Sequence, residues 1–328
     1  MTPSGRKYID SPSLQVFPPP SLCQDVTQYL FFLKGRQSKL QELCDTFLNE
    51  PSGGAVDYRP RLPFVMLTFQ SVGRLSSGAQ GFQDWGYTSQ REATFWVAVS
   101  DYKKHGADEL CKKVELFIPF IYSDNPWAVA GGRELYGFPK QGSTVLIPGT
   151  GQGAGAFEIS TLAYRTFSRD SQAQVSRVLS IERADGEPFT HGELGISLGD
   201  ELLQRLGVLR DELGQLLDFN FEFGARIIDF LFRPSLPMVF LKQFRGVGST
   251  EEACYQAIVG AEVDQIELKS LRLLLRRFRL QLESLATQPI AQALGLELDS
   301  RGQLFIPGGL QIQFDFRLNE GHLIWSGE

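Results

Sequence analysis

The chain has 328 residues, with 38 Asp and Glu against 32 Lys and Arg and a formal net charge of −6. That balance excludes nucleic acid as the main partner, because a phosphate backbone is gripped by clustered cations. Hydrophobic residues make up 42% and charged residues 21%, ordinary values for a globular chain long enough to bury a large core.

Taken in chain order, residues 1–20 are rich in Pro and Ser and read as an extended N-terminal arm, with Pro18-Pro19-Pro20 as its stiff end. Residues 21–328 read as one domain, with an elaboration near 184–235. Tyr29–Leu33 is a compact apolar run and predicts a strand. Ser38–Glu50 predicts a helix, with Ser38 and Gln41 at capping-box spacing and Leu40, Leu43 and Phe47 on one face. Leu62–Phe69, Ala93–Val99 and Val114–Tyr122 predict strands, and Pro119 places an edge or a bulge in the third. Gly149, Gly151, Gly153 and Gly155 read as a hairpin turn, because Phe157–Leu162 after them is strand-like; a phosphate loop would open a helix. Asp200–Asp218 carries Leu202, Leu206, Leu209, Leu213 and Leu216 on one helical stripe. Met238–Phe244, Tyr255–Val263, Phe278–Glu283 and Leu310–Leu318 predict strands. Residues 311–318 alternate apolar and polar, which predicts one buried and one wet face. Strands outnumber helices without a strand–helix–strand rhythm, so the class is α+β with largely antiparallel strands.

No run of about 18 uncharged apolar residues exists, so no membrane partner is expected. The nearest, Leu216–Leu241, is broken by Asp218, Glu222, Arg226, Asp229 and Arg233. Cys23, Cys44, Cys111 and Cys254 are far apart with no CxxC, which fits a cytoplasmic location. His105, His191 and His322 show no ligand spacing, so no metal and no cofactor is expected. Gly195-Ile196-Ser197-Leu198-Gly199 matches the GxSxG pattern of serine hydrolases, but the segment before it is a poor strand. Ser197 reads as a helix-entry residue, with a hydrolase as a distant alternative. Lys103-Lys104, Lys112-Lys113 and Arg276-Arg277-Phe278-Arg279 read as solvated surface or a subunit contact.

The densest local information lies between Asp124 and Gly142. Asp124 or Asn125 can cap a short helix with Pro126 in its first position. Gly137 can end it in the left-handed conformation, and Pro139 holds Phe138 extended. Lys140 then stands on a stiff backbone near Tyr136, Phe138, Val145 and Leu146. Burial there disfavours an ammonium and favours a nucleophilic amine, which can condense with a ketone.

Asp124-Asn125, Gly132-Arg133-Glu134-Leu135 and Phe138-Pro139-Lys140 match, in order and spacing, a motif of the acetoacetate decarboxylase family, which this segment resembles closely. The likeness is strong over residues 118–149 and looser elsewhere. It implies a curved, largely antiparallel sheet or barrel enclosing Lys140, helices packed outside, and a homo-oligomer. It also implies a Schiff base at Lys140. A family carboxylate falls at Glu92 or, with a small slide, at Gln90. Tyr136, Phe138, Arg133, Glu134 and Gln141 are the expected substrate-binding residues; Arg133 and Glu134 can alternatively form a structural ion pair. The pattern departs in three places. Gln141 stands where the decarboxylases carry a second lysine, Val26–Leu33 has no arginine, and Thr68 or Gln70 stands where an acid is expected. The implied function is an imine-forming lyase acting on a keto acid or related carbonyl compound other than acetoacetate. Its chemistry would be decarboxylation or an aldolase or dehydratase reaction. The alternative is a non-catalytic or regulatory small-ligand-binding protein on the same scaffold.

Overall fold

The computed structural model describes residues 8–9, 12–13, 16–103, 114–149, 155–187, 197–198, 234–274 and 276–327. The Asp200–Asp218 stripe, His105, His191, most of the 184–235 elaboration and the tip of the glycine-rich turn lie outside them.

Strands dominate. In chain order they are β1 Ser21–Lys34, β2 Tyr58–Ser77, β3 Thr88–Asp101, β4 Glu115–Ser123, β5 Lys140–Leu146, β6 Phe157–Ala163 and β7 Gln174–Arg183. There follow β8 Ser197–Leu198, β9 Ser235–Arg245, β10 Ala253–Leu274, β11 Phe278–Leu282, β12 Gln303–Ile306, β13 Gly309–Leu318 and β14 His322–Ser326. Among the described residues three short helices accompany them: α1 Gln37–Cys44, α2 Pro126–Gly131 and α3 Ile290–Leu294. No helix among the described residues is long and apolar enough to cross a membrane.

All the strands belong to one large mixed sheet. Its central order is β4-β3-β2-β1-β13-β10, antiparallel throughout. β9 pairs antiparallel with β10 and touches β4 in parallel only at Leu116–Phe117 against Met238–Val239. From β4 the sheet also runs on through a parallel step to β5, then to β6, β7, β11 and β12. The result is a curved mixed sheet and not a clean barrel. Pro119 falls where expected. Phe95 pairs with Phe120 but Val97 with Phe117, so Ile118 and Pro119 together oppose a single residue in a bulge.

Both faces of the central strands are buried, and period-2 alternation sorts their side chains. On β3, Ala93, Phe95, Val97 and Val99 enter the main core, whereas Gln90, Glu92 and Trp96 face a cavity on the other side. β2 does the same, with Val65, Leu67 and Phe69 against Met66 and Gln70. The main core is knitted by Phe157 of β6, whose ring packs 4.9 Å from Tyr29, 5.2 Å from Phe31 and 5.0 Å from Phe69.

Three local expectations are corrected. The first helix begins at Gln37 with Arg36 at its N-cap and no side-chain cap, so Ser38 and Gln41 form no capping box. The helix then widens to five-residue turns at Asp45–Asn49. This rotates Leu48, not Phe47, into the core, and Phe47 stays exposed. The wet face predicted for residues 311–318 is exposed at Gln313 and Arg317 but not at Gln311 and Asp315, which are buried against groups from β1 and β10. Gln311 Nε2 donates to the Tyr29 hydroxyl at 3.2 Å, and Asp315 accepts from Lys269 Nζ at 2.7 Å and from the Asp25 amide at 2.8 Å. Ser197 sits in a two-residue strand opposite Arg272, and the helix it was expected to enter lies outside the described residues.

Candidate active site

The site is assembled by three local devices that converge. The first is the helix before Lys140. Asn125 Oδ1 accepts from the amides of Trp127 and Ala128 at 2.9 and 3.1 Å, with Pro126 at the first helical position. After a wide turn at Gly132–Tyr136, Gly137 closes the helix at φ 80°. A Cβ at Gly137 would lie 2.6 Å from the Lys242 Cα, so strand β9 passes too close for any side chain. A Cβ at Gly132 would lie 2.8 Å from Lys140 Cδ; that glycine forms the floor on which the lysine side chain rests.

The second device ties this helix to β3. Asp124 Oδ1 accepts from the Arg91 amide at 2.7 Å, and burial raises the Asp124 carboxyl above its usual range. Asn125 Nδ2 donates to Thr88 Oγ1 at 3.0 Å and to the Ser89 carbonyl at 2.8 Å. The Asp-Asn pair thus caps α2 with one end and grips the strand carrying Gln90 and Glu92 with the other.

The third device is register. Gln28, Gln70 and Glu92 are direct partners across β1, β2 and β3, so they form one row on the cavity face. Gln28 Nε2 donates to Gln70 Oε1 at 3.1 Å. Glu92 Oε2 lies 2.6 Å from Lys140 Nζ, and Thr94 Oγ1 lies 3.4 Å from Glu92 Oε1. Lys140 is 6% exposed and Glu92 8%. The pair is therefore almost removed from water, where a charge pair interacts far more strongly than on a surface.

Around this pair lies a cavity of about 160 Å³ walled mainly by apolar side chains, among them Trp96, Ile121, Tyr136, Phe138, Met238 and Phe316. Phe138 stacks on Tyr136 at 4.9 Å, meets Phe240 edge-on at 4.4 Å, and presents its ring 5.6 Å from Lys140 Nζ. Tyr136 spends its hydroxyl on the Asn319 carbonyl at 2.8 Å. Cys23 also lines the cavity, but burial, aided by Glu92, pushes its thiol well up and keeps it protonated and unreactive. Phe17 of the N-terminal arm reaches the cavity as well and packs on Trp127 at 5.4 Å.

The residues expected at the site divide between two places. Lys140, Glu92, Tyr136 and Phe138 meet in the cavity, and both Gln90 and Glu92 face it. Arg133, Glu134 and Gln141 do not line it. Arg133 is exposed and its Nη1 donates to the Lys140 carbonyl at 3.2 Å, holding backbone. Gln141 alternates to the opposite side of β5, where its Oε1 accepts from Gln288 Nε2 at 2.8 Å. Glu134 lies close enough to Lys242 to favour its ammonium, against a burial that lowers Lys242 overall. Gln28, Cys23, Trp96 and Gly132 were not foreseen. Polar residues recurring every second position in apolar strands, as in Thr68–Gln70 and Gln90–Glu92–Thr94, were the available signal. Among the described residues no cluster of three or more His, Cys, Asp or Glu side chains is placed to hold a metal.

No family model matches the chain, and no curated protein matches it in sequence. Solved structures do match in shape. Acetoacetate decarboxylase from Legionella pneumophila superposes with a TM-score of 0.58 at 13% identity, covering 99% of this chain and 93% of that one. An acetoacetate decarboxylase-like enzyme from Sphingomonas wittichii RW1 gives 0.57 at 12% identity, covering 99% and 100%. The enduracididine biosynthesis enzyme MppR complexed with pyruvate gives 0.54 at 12% identity, covering 95% and 93%. The chain has the fold of these proteins.

Proposed function

We propose that the protein is an imine-forming enzyme of the lyase class, in which Lys140 condenses with the carbonyl group of a small molecule. The observation that supports this most is the contact of 2.6 Å between Lys140 Nζ and Glu92 Oε2 inside an apolar cavity. An amine attacks a carbonyl only after losing a proton, and Glu92 is within reach to accept it. The nitrogen lone pair forms the C–N bond as the C=O π electrons move onto oxygen, and that oxygen takes up the proton that the newly bonded nitrogen loses. Glu92 then returns its proton to the carbinolamine hydroxyl, water leaves, and an iminium remains. That iminium withdraws electrons from the neighbouring bond, so CO2 loss, α-proton loss or carbon–carbon cleavage can follow.

Acetoacetate is not the expected substrate. No second lysine follows Lys140, and the row beside Glu92 holds the neutral Gln28–Gln70 pair. Among the described residues, a carboxylate entering there meets Glu92 with no cation besides Lys140 to hold it.

Borohydride trapping tests the reading. Wild-type protein incubated with a panel of aldehydes, ketones and keto acids should yield a reduced adduct on the Lys140 peptide by mass spectrometry. Its mass increment should equal the carbonyl compound less one oxygen. Acetoacetate should give little adduct and little acetone. The ion pair itself supports a second reading, because a Lys140 held closed on Glu92 need not react. No adduct with any carbonyl would leave the protein as a ligand-binding member of the same fold.

A further inference from the structure

Gln28 and Gln70 line the cavity beside the Lys140–Glu92 pair, and each has part of its amide left over. A glutamine amide offers one carbonyl oxygen and one NH2 group. The bond between the two, from Gln28 Nε2 to Gln70 Oε1 at 3.1 Å, leaves Gln28 Oε1 and Gln70 Nε2 without a partner among the described residues. Neither atom is sealed off in the way the unpaired Gln90 oxygen is. Alternation along β2 turns Gln70 to the cavity and its neighbour Phe69 to the core. Turning both amides over would exchange their roles and leave the same result, one free acceptor beside one free donor. An amide group with so little contact with water is costly to leave unmatched, so the pair suits a ligand that completes it.

Register fixes where this pair stands. The strand order β5-β4-β3-β2-β1 places Lys140, Glu92, Gln70 and Gln28 one after another across the sheet. Neighbouring strands lie about 4.7–4.9 Å apart, and Glu and Gln side chains are equally long, so the free amide groups stand roughly 5–10 Å from the Glu92 carboxylate. A compound whose carbonyl meets Lys140 therefore reaches them only with a group several bonds further on, and Glu92 lies between its two ends. The cavity of about 160 Å³ compares with one of about 150 Å³ that admits benzene. Met66, Trp96 and Phe314 supply apolar wall around such a body.

The group that completes the pair must donate to one amide and accept from the other. A hydroxyl does both and an alkyl group neither. A carboxylate only accepts, and it would turn its charge towards the free amide oxygen. We infer, on the imine reading above, that the substrate is a hydroxylated aldehyde or ketone whose hydroxyl, remote from the carbonyl carbon, is held by Gln28 and Gln70. The two glutamines are then specificity residues, and Glu92 is the group that moves protons.

Recognition is measured first with nitriles, which form no imine with borohydride-trappable stability and whose cyano end only accepts hydrogen bonds. Binding of 4-(hydroxymethyl)benzonitrile, 4-ethylbenzonitrile and 4-cyanobenzoate to the full chain is followed by ligand-observed NMR. The hydroxymethyl compound should bind about tenfold more tightly than the ethyl compound, as one to two neutral hydrogen bonds imply. In Gln28→Met/Gln70→Met that preference should fall below about twofold, with the ethyl compound bound as in wild type. The preference is a ratio read within one protein, so a merely structural role for the pair does not move it. Gln28→Met alone, at the more exposed of the two positions, gives the same reading should the double variant not fold. Equal binding of the hydroxymethyl and ethyl compounds to wild type, tightest binding of 4-cyanobenzoate, or a hydroxyl preference that survives the substitutions would overturn the inference. Borohydride trapping with 4-(hydroxymethyl)benzaldehyde and 4-ethylbenzaldehyde runs in parallel. A nitrile preference with no adduct from either aldehyde refutes the imine and keeps the recognition; adducts from both aldehydes with no nitrile preference do the reverse.

Discussion

Removing one partner of the Lys140–Glu92 pair strands the other charge in a nearly dry setting, with side chains only 7% and 10% exposed. Lys140→Met should therefore lower stability by about 3–5 kcal/mol, whereas the double variant Lys140→Met/Glu92→Gln should recover most of that loss. Urea unfolding of wild type, both single variants and the double variant gives the coupling directly. Coupling below about 0.5 kcal/mol would mean that the two groups do not share a buried contact. The same residue scale shows why Gly132 matters. Its missing Cβ is the space that the Lys140 methylenes occupy, so the lysine is positioned by an absence.

At the scale of elements, the short helix α2 does two jobs through one side chain. Asn125 caps it with Oδ1 and, with Nδ2, holds the start of β3, on which Gln90 and Glu92 sit. An exposed cap is worth about 1 kcal/mol, and each further hydrogen bond adds about 1 kcal/mol. Asn125→Ala is expected to cost about 2–3 kcal/mol in denaturant unfolding, more than a cap alone. It should also weaken adduct formation at Lys140, since the strand carrying Glu92 loses its tether. A loss of about 0.5 kcal/mol with unchanged trapping would reduce Asn125 to a surface cap.

At the scale of the whole molecule, burying both faces of the sheet places several weak acids away from water. Burial pushes the Tyr29 phenol from 10.0 up to about 12 and the Cys44 thiol from 9.0 up to about 12. Cys23, Tyr58, Tyr122 and Tyr136 move in the same direction, each first by burial. These groups bind protons more tightly folded than unfolded. Their contribution is fully present below about pH 9 and is lost as pH rises towards 12, because the unfolded chain ionises first. The melting temperature should thus hold steady from pH 7 to 8.5 and fall steadily across pH 9 to 11, by calorimetry. A flat curve to pH 11 would contradict the burial of these side chains.

Much of this protein was determined within short stretches of its sequence. Asn125, Pro126, Gly137 and Pro139 act on their own neighbours, so the helix, its end and the stiff entry to Lys140 are legible without any knowledge of the fold. Alternation likewise marked the strands, though not their length: the run at Tyr29–Leu33 is the centre of β1, Ser21–Lys34. What lies opposite a residue is a different matter. Glu92 reaches Lys140 across 48 positions, and Gln28, Gln70 and Glu92 form a row only because two antiparallel pairings share one register. Gln311 and Asp315 looked wet because their strand's own pattern cannot reveal that Tyr29 of β1 and Lys269 of β10 are placed against them. Bulges complicate the count further: Cys23 and Val26, three apart, pack in one cluster because the register shifts between them. Local sequence sets backbone preference through steric and hydrogen-bonding effects a few residues long. Pairing register, and with it the polar row beside the lysine, is decided by which faces the assembled sheet can bury together.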